Sequence, residues 1–423
     1  MPISRRDMFA AAGGVAALGA FHELGAAGSA AKAGAGSGAG SGMAAGSNER
    51  FLAGLLGQDK LFWSSNVQPI GYKSLERILA TRPIRRSATA IPFRRQEIGP
   101  FSYQDQGKTE TFDDFMELER VAGIIGLRDG VVRLERYGLG LQPHEHWTSM
   151  SMVKSITSTI VGCALHDRLL PGLDVEVAGY VPELKDSAYQ NVTLRQLLTM
   201  TSGVQWDENY MNPKADVNLY YEKVIADRAA GGILAHLATL PRTHAPGTTF
   251  RYNTGDTYVI GCMLTAAIGG NMADYFSSRI WSRIGTEQDG LFLLESDDGQ
   301  EVAGSSASAS LRDYARFGEF FRSGGVIDGR QVLPENWVAE ATAPSAPRQD
   351  QAGGGYGYQW WLSADGSYAG QGYAGQLLRI HPGNRSTIVI LSALPSRNFP
   401  ARPEDSPTRR RNFLQAFDRA MAG

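Results

Sequence analysis

The chain has 423 residues, a formal net charge of −2 and 43% hydrophobic residues, enough for one large domain or two small ones around a sizeable core. So even a charge balance leaves no electrostatic footprint for nucleic acid or an anionic membrane surface. Cys163 and Cys262 each stand inside an apolar run and read as small buried hydrophobes, with a single disulfide between them left open.

At the N-terminus, Ser4-Arg5-Arg6-Asp7-Met8-Phe9 sets two arginines before an alanine-rich apolar stretch that ends near Phe21, and small residues follow from Ala27 to Ala31. Residues 1–31 therefore resemble a twin-arginine export signal, which predicts a periplasmic or secreted protein. The stretch is too short and too rich in glycine to span a bilayer comfortably, and no later segment reaches spanning length, so no stable membrane anchor is expected. Residues 32–48 are a flexible Gly/Ala/Ser linker. Residues 49–100 read as an extension wrapped on the main body, with a basic Arg82-Pro83-Ile84-Arg85-Arg86 stretch and no chemistry attached, and 101–423 as the catalytic domain.

Strand patterning begins at Ala122. Gly123 to Leu127 and Val131 to Tyr137, separated by Asp129-Gly130, predict a hairpin with a two-residue turn. Helical patterns follow after Ser151, over 192–198, in the 218–240 stretch, from near Thr257, and after Ser310, which reads as a capping serine. Strands return at Tyr358–Trp361, Gln376–His381 and Ser386–Leu391, with turns at Asp365-Gly366 and Pro382-Gly383. A last amphipathic helix, 411–421, presents Leu414, Phe417 and Met421 on one face. Strands at both ends with helices between them predict an α+β layout whose sheet is assembled from distant parts of the chain.

Three segments carry candidate chemistry. Ser151-Met152-Val153-Lys154 places a hydroxyl and an amine one helical turn apart, on one face, at the mouth of an apolar helix. A serine needs a neighbour to take its proton, and a lysine kept neutral by burial or by a nearby positive charge serves. Unpaired N–H groups at the helix start can hold an oxyanion. Ser29-Ala30-Ala31-Lys32 repeats the spacing in a tract with no helix to place it. The second segment, Tyr252-Asn253-Thr254, puts a phenol in a polar loop before a helix, where a protonated lysine nearby would lower its pKa toward useful values. In the third, Gly370-Gln371-Gly372-Tyr373-Ala374-Gly375 leads into a strand, where glycines admit a close backbone approach. His144-Glu145-His146 has the look of a metal pair, but no third ligand stands at recognisable spacing, so no metal is expected. There is no Gly-x-Ser-x-Gly elbow or P-loop, and Gly370 to Gly375 leads into a strand where a dinucleotide fingerprint would open a helix.

Taken in order, Ser-x-x-Lys, Tyr-x-Thr and a Gly-rich strand start resemble the serine β-lactamase and penicillin-binding-protein superfamily, in its class C-like branch of hydrolases and esterases. The chain is most similar there to the 6-aminohexanoate-dimer hydrolase group. Leu197-Leu198-Thr199-Met200-Thr201-Ser202-Gly203, Trp206-Asp207-Glu208-Asn209-Tyr210, Pro246-Gly247, Arg312 to Gly318 and Gly355 to Trp361 support it over roughly 100–395. The resemblance implies an antiparallel sheet flanked by terminal helices, an inserted helical subdomain, and a cofactor-free serine hydrolase of small esters or linear amides. It implies Ser151 as nucleophile, Lys154 with Tyr252 as the proton-transfer pair, the backbone N–H groups of Ser151 and Tyr373 as oxyanion donors, and Gly372 and a capping Tyr210 at the substrate. Thr254 stands where β-lactamases usually carry asparagine, and no Lys-Thr-Gly or His-x-Gly marks the third motif. These departures disfavour β-lactams. The alternatives are a cell-wall D-amino-acid peptidase or transpeptidase, and a penicillin-recognising sensor that turns over slowly.

Overall fold

The computed structural model describes residues 63–345, 354–395 and 406–423. The export signal and linker read from residues 1–48 lie outside the described residues.

An eight-stranded sheet is built from β1 (Arg94–Arg95), β2 (Val121–Arg128), β3 (Val131–Tyr137), β4 (Gly355–Tyr356), β5 (Trp361–Leu362), β6 (Tyr368–Gly372), β7 (Gln376–His381) and β8 (Ser386–Ser392). Its spatial order is β4-β5-β6-β7-β8-β2-β3-β1. All its ladders are antiparallel except the short parallel pairing of β1 with β3. The predicted hairpin is β2–β3, turning at Asp129 and Gly130 with φ of 53° and 71°, the left-handed pair that a tight hairpin turn needs.

The helices that pack on this sheet or carry candidate residues include α1 (Phe112–Leu118), α2 (Val153–His166), α3 (Thr254–Ile268), α4 (Leu311–Arg322) and α5 (Ser406–Ala422). Because strand side chains alternate, each face of the sheet collects its own set. Ile124, Ile388 and Ile390 pack with Phe413 and Phe417 of α5 and Phe115 of α1. Ile125, Val389 and Leu391 join the larger core on the other side, where α4 lies so close that a Cβ on Gly318 would stand 2.6 Å from Thr387 Cγ2. Gly126 leaves room for the Phe417 ring, whose Cζ would be 2.3 Å from an added Cβ.

A second, four-stranded sheet positions the site. Its strands run Thr81–Ile84, Gly290–Leu293, Ala307–Ala309 and Trp147–Thr148. Thr81–Ile84 pairs along Gly290–Leu293, so the stretch before residue 100 supplies an edge strand. Among the described residues between α2 and β4, most of the regular structure is helical, interrupted by the two inner strands of the small sheet and a short hairpin.

Several local expectations are corrected. Helix α3 starts at Thr254, earlier than expected, because the Asn253 side chain caps it by accepting from Asp256 N–H. Tyr358–Trp361 does not form one strand: Gln359 takes φ 63°, and only Trp361 continues into β5. The Gly-rich entrance is itself a strand, β6, paired with β7 from Tyr368–Ile380 to Gly372–Gln376. The 218–240 stretch is interrupted at Arg228 and Gly231, both at positive φ, leaving Asp216–Glu222 and Gly232–Ala238 as separate α-helices. Ser310 caps α4 as read, accepting from Asp313 N–H. Neither cysteine is in a disulfide; Cys163 is buried and Cys262 partly buried.

Phe413 is fully buried, stacked on Phe115 at 3.6 Å between ring centroids with Tyr103 edge-on at 5.5 Å. Phe413→Ala should cost about 3–5 kcal/mol, read as a lower urea midpoint at unchanged slope.

Candidate active site

The chain reaches Ser151 from the end of the small sheet. Ser149 N–H donates to the Ala307 carbonyl (2.7 Å), the Ser149 hydroxyl accepts from Ala307 N–H (2.9 Å), and the Met150 carbonyl accepts from Ser306 N–H (3.1 Å). Met150 is held at φ 47°, a strained value for a residue with a Cβ. A single 3₁₀ turn, Met150–Met152, then runs directly into α2. Strand β6 lies flat against this entry. A Cβ on Gly372 would be 2.3 Å from the Ser149 carbonyl oxygen, and one on Gly370 would be 2.8 Å from Ser155 Oγ. Both glycines read from the sequence are therefore fixed by close approach to the serine turn, and Tyr373 follows at the rim with Ala374 at φ 58°.

Lys154 is 2% exposed. Its Nζ donates to Ser151 Oγ (3.2 Å), to Thr254 Oγ1 (3.1 Å) and to the Gly304 carbonyl. Burial pulls its pKa down to about 8, and the Glu208 carboxylate opposes that fall. A neutral amine is thus within reach at mildly alkaline pH, and desolvation is what keeps the lysine neutral.

Tyr252 lies with its ring 5.1 Å from Lys154 Nζ and stacked on Trp361 at 5.5 Å. Its pKa moves opposite to the sequence expectation. Burial and the negative field of Glu208 push the phenol well above its ordinary range, and a hydrogen bond with Ser151 only partly counters them. A phenolate removed from water and set beside a carboxylate is costly, so Tyr252 stays protonated.

Sequence reading passed over Glu208. Its Oε1 accepts from Thr254 Oγ1 and Tyr210 Oη, each at 2.7 Å, while Oε2 accepts from Thr254 N–H at 3.3 Å and from Trp206 Nε1. Nothing in its neighbourhood predicts a contact with Thr254, forty-six residues on. The one signal was Thr254 in the usual place of asparagine, which leaves a hydroxyl to be satisfied. Tyr210 packs against Tyr373 with the rings tilted at 58°, 5.3 Å between centroids. Ser151, Glu208, Tyr210, Tyr252, Gly372 and Tyr373 line one cavity of about 1030 Å³. The structure therefore brings together every candidate read from the three motifs.

The remaining candidate is elsewhere. Glu145 pairs with Lys73 at 3.1 Å, and His146 meets Glu76 and the Asp289 carbonyl. No group of His, Cys, Asp and Glu able to hold a metal occurs among the described residues.

Serine, amine and phenol converging beside the end of β6 in a largely antiparallel sheet define a class, and sequence comparison agrees. The beta-lactamase family matches residues 109–410, and the chain belongs to that family. A serine hydrolase mechanism is typical of it, and the chain is a hydrolase of that class. Within the family, the chain is 29% identical over 290 residues to a 6-aminohexanoate-dimer hydrolase of Paenarthrobacter ureafaciens, covering 64% of this chain and 71% of that one. Among solved structures, a putative 6-aminohexanoate-dimer hydrolase from Bacillus anthracis superposes with a TM-score of 0.72 at 23% identity, over 84% of this chain and 94% of that one. A penicillin-binding protein from Bacillus halodurans gives 0.55 at 15%, over 66% and 94%.

With the neutral amine as the working form, kcat/KM should rise with pH through a midpoint near 8, the value set by burial of Lys154. A rate profile on a p-nitrophenyl ester checks this; an acid limb in the carboxylate range would exclude Lys154 as base.

Proposed function

We propose that the protein hydrolyses small esters or linear amides through an acyl intermediate on Ser151. The observation that carries the reading is the Lys154 Nζ to Ser151 Oγ contact, 3.2 Å, at the wall of a cavity that also holds Tyr252 and Tyr373. Neutral Lys154 takes the Ser151 proton as Oγ bonds to the carbonyl carbon. The backbone N–H groups of Ser151 and Tyr373 hold the oxyanion. As the bond to the leaving group breaks, Tyr252 gives its proton to the departing amine or alkoxide and recovers one from the Lys154 ammonium. Water, deprotonated by the same pair, then releases the acid.

Linear substrates are favoured over β-lactams because the third motif offers neither lysine nor histidine to a lactam carboxylate. The 6-aminohexanoate-dimer hydrolase relative points the same way, toward short amides. The decisive experiment is a panel of short p-nitrophenyl esters, linear ω-amino amides, D-alanyl peptides and a chromogenic cephalosporin, run beside Ser151→Ala. Ester and amide turnover that vanishes in Ser151→Ala is expected. Turnover confined to D-alanyl peptides, or acylation by the cephalosporin without turnover, would replace this reading with a peptidase or a sensor.

Amines leave only when protonated, whereas p-nitrophenolate leaves unaided. Tyr252→Phe should therefore slow amide hydrolysis by about 10²–10⁴ and the activated ester much less, and equal loss on both would remove the phenol from the role of acid.

A further inference from the structure

The Glu208 carboxylate is fully subscribed. Two oxygens offer about four acceptor positions, and Trp206, Tyr210 and Thr254, the last through both N–H and hydroxyl, supply four donors. Little remains for a substrate, although Glu208 lines the cavity. Its connection to the chemistry runs through Thr254, whose hydroxyl accepts from Lys154 Nζ at 3.1 Å and donates to Glu208 Oε1 at 2.7 Å. One oxygen thus links a buried amine to a carboxylate two hydrogen bonds away. The same carboxylate receives the orphan N–H of Thr254 in the first turn of α3.

Resting on the proposed hydrolase reading, we infer that Glu208 is a positioning residue: its carboxylate orients Thr254 so that the hydroxyl fixes Lys154 toward Ser151, and its charge balances the lysine as the proton arrives and leaves. The departure of Thr254 from the family's usual asparagine becomes half of a two-residue device, with Glu208 the other half. An asparagine amide presents separate donor and acceptor atoms; a threonine must do both with one oxygen, and it needs a fixed acceptor behind it to hold the orientation.

The other groups facing Lys154 do not duplicate this. Tyr252 presents its ring from the turn before α3, and Tyr210 bonds to Glu208 itself. Asp256, on α3, accepts from Tyr189 and Asn253. From the segment between the small-sheet strands come the Gly304 carbonyl and Ser305, the latter bonded to Tyr221. Tyr373 stands at the end of β6. Among the described residues no other charged side chain acts on Lys154.

The test is a set of pH–rate profiles on a p-nitrophenyl ester for the whole protein, Glu208→Gln, Thr254→Val and Thr254→Ser, with Ser151→Ala as control. Loss of the carboxylate charge should move the acid limb of Glu208→Gln to lower pH, by about one to two units for a charge two hydrogen bonds away. Thr254→Val should lower kcat about tenfold or more with little change in KM, and Thr254→Ser should restore it. Thermal unfolding reports whether each variant folds. Should Glu208→Gln not fold, the valine and serine variants decide alone, and equal rates in the two overturn the inference. An unmoved acid limb in folded Glu208→Gln also overturns it. Ester turnover surviving in Ser151→Ala would instead bring down the hydrolase reading beneath it, so the two failures are distinct.

Discussion

A lysine amine taken out of water must be given acceptors, and around Lys154 they come from separate parts of the chain. Ser151 stands one turn earlier on the same helical segment, Thr254 heads α3, and the Gly304 carbonyl comes from the segment between two strands of the small sheet. Behind Thr254 stands Glu208 on a loop. Each acceptor is useful only at hydrogen-bond distance, so satisfying one nitrogen fixes the relative placement of α2, α3 and the small sheet. The strained Met150 and the glycines of β6 follow from the same demand, because the serine turn has to be driven in between a strand end and a sheet edge. A buried polar cluster of this kind is costly unless every member is paired, which ties a correctly formed site to a correctly formed fold.

Much of this was legible in the residues. The Ser151–Lys154 pair needs only helical spacing to be recognised, and the β2–β3 hairpin needs only alternation and Asp129-Gly130. Gly370 and Gly372 are visible as an invitation to close approach, although their partners, Ser155 and the Ser149 carbonyl, are not. What escaped was of two kinds. Local structure set by tertiary contact was misread: Gln359 is turned to φ 63° while its side chain reaches Thr257 and the Leu197 and Leu198 carbonyls, breaking an otherwise strand-like run. Electrostatics set by burial was misjudged too, since the phenol of Tyr252 responds more to lost water than to the amine beside it. Glu208 belongs to neither motif it serves, and a contact across loops leaves no periodicity to find.

Trp361, read as part of one strand with Tyr358, shows how a small misassignment touches function. As β5 it lies under the Tyr252 ring at 5.5 Å, with Tyr356 of β4 edge-on at 6.4 Å, so the sheet's edge orients the phenol. Aromatic packing of this sort fixes a ring without consuming its hydroxyl. The hydroxyl is left for Ser151 and for whatever occupies the cavity.

The pairing of β8 with β2 has a consequence in time as well as in space. Strand β8 is inserted between β7 and β2, and α5 is tied beneath them by Ser406, Arg409 and Arg410 converging on the buried Glu119, with Arg410 also reaching the Gly375 carbonyl beside Tyr373. The wall of the cleft therefore depends on segments far along the chain from Ser151 and Lys154, and contacts of such long sequence separation form slowly. The nucleophile and its amine are neighbours in sequence, whereas their pocket is closed by loops of long sequence separation, so the surroundings of the pair, and not the pair itself, carry the entropic cost of assembling the site.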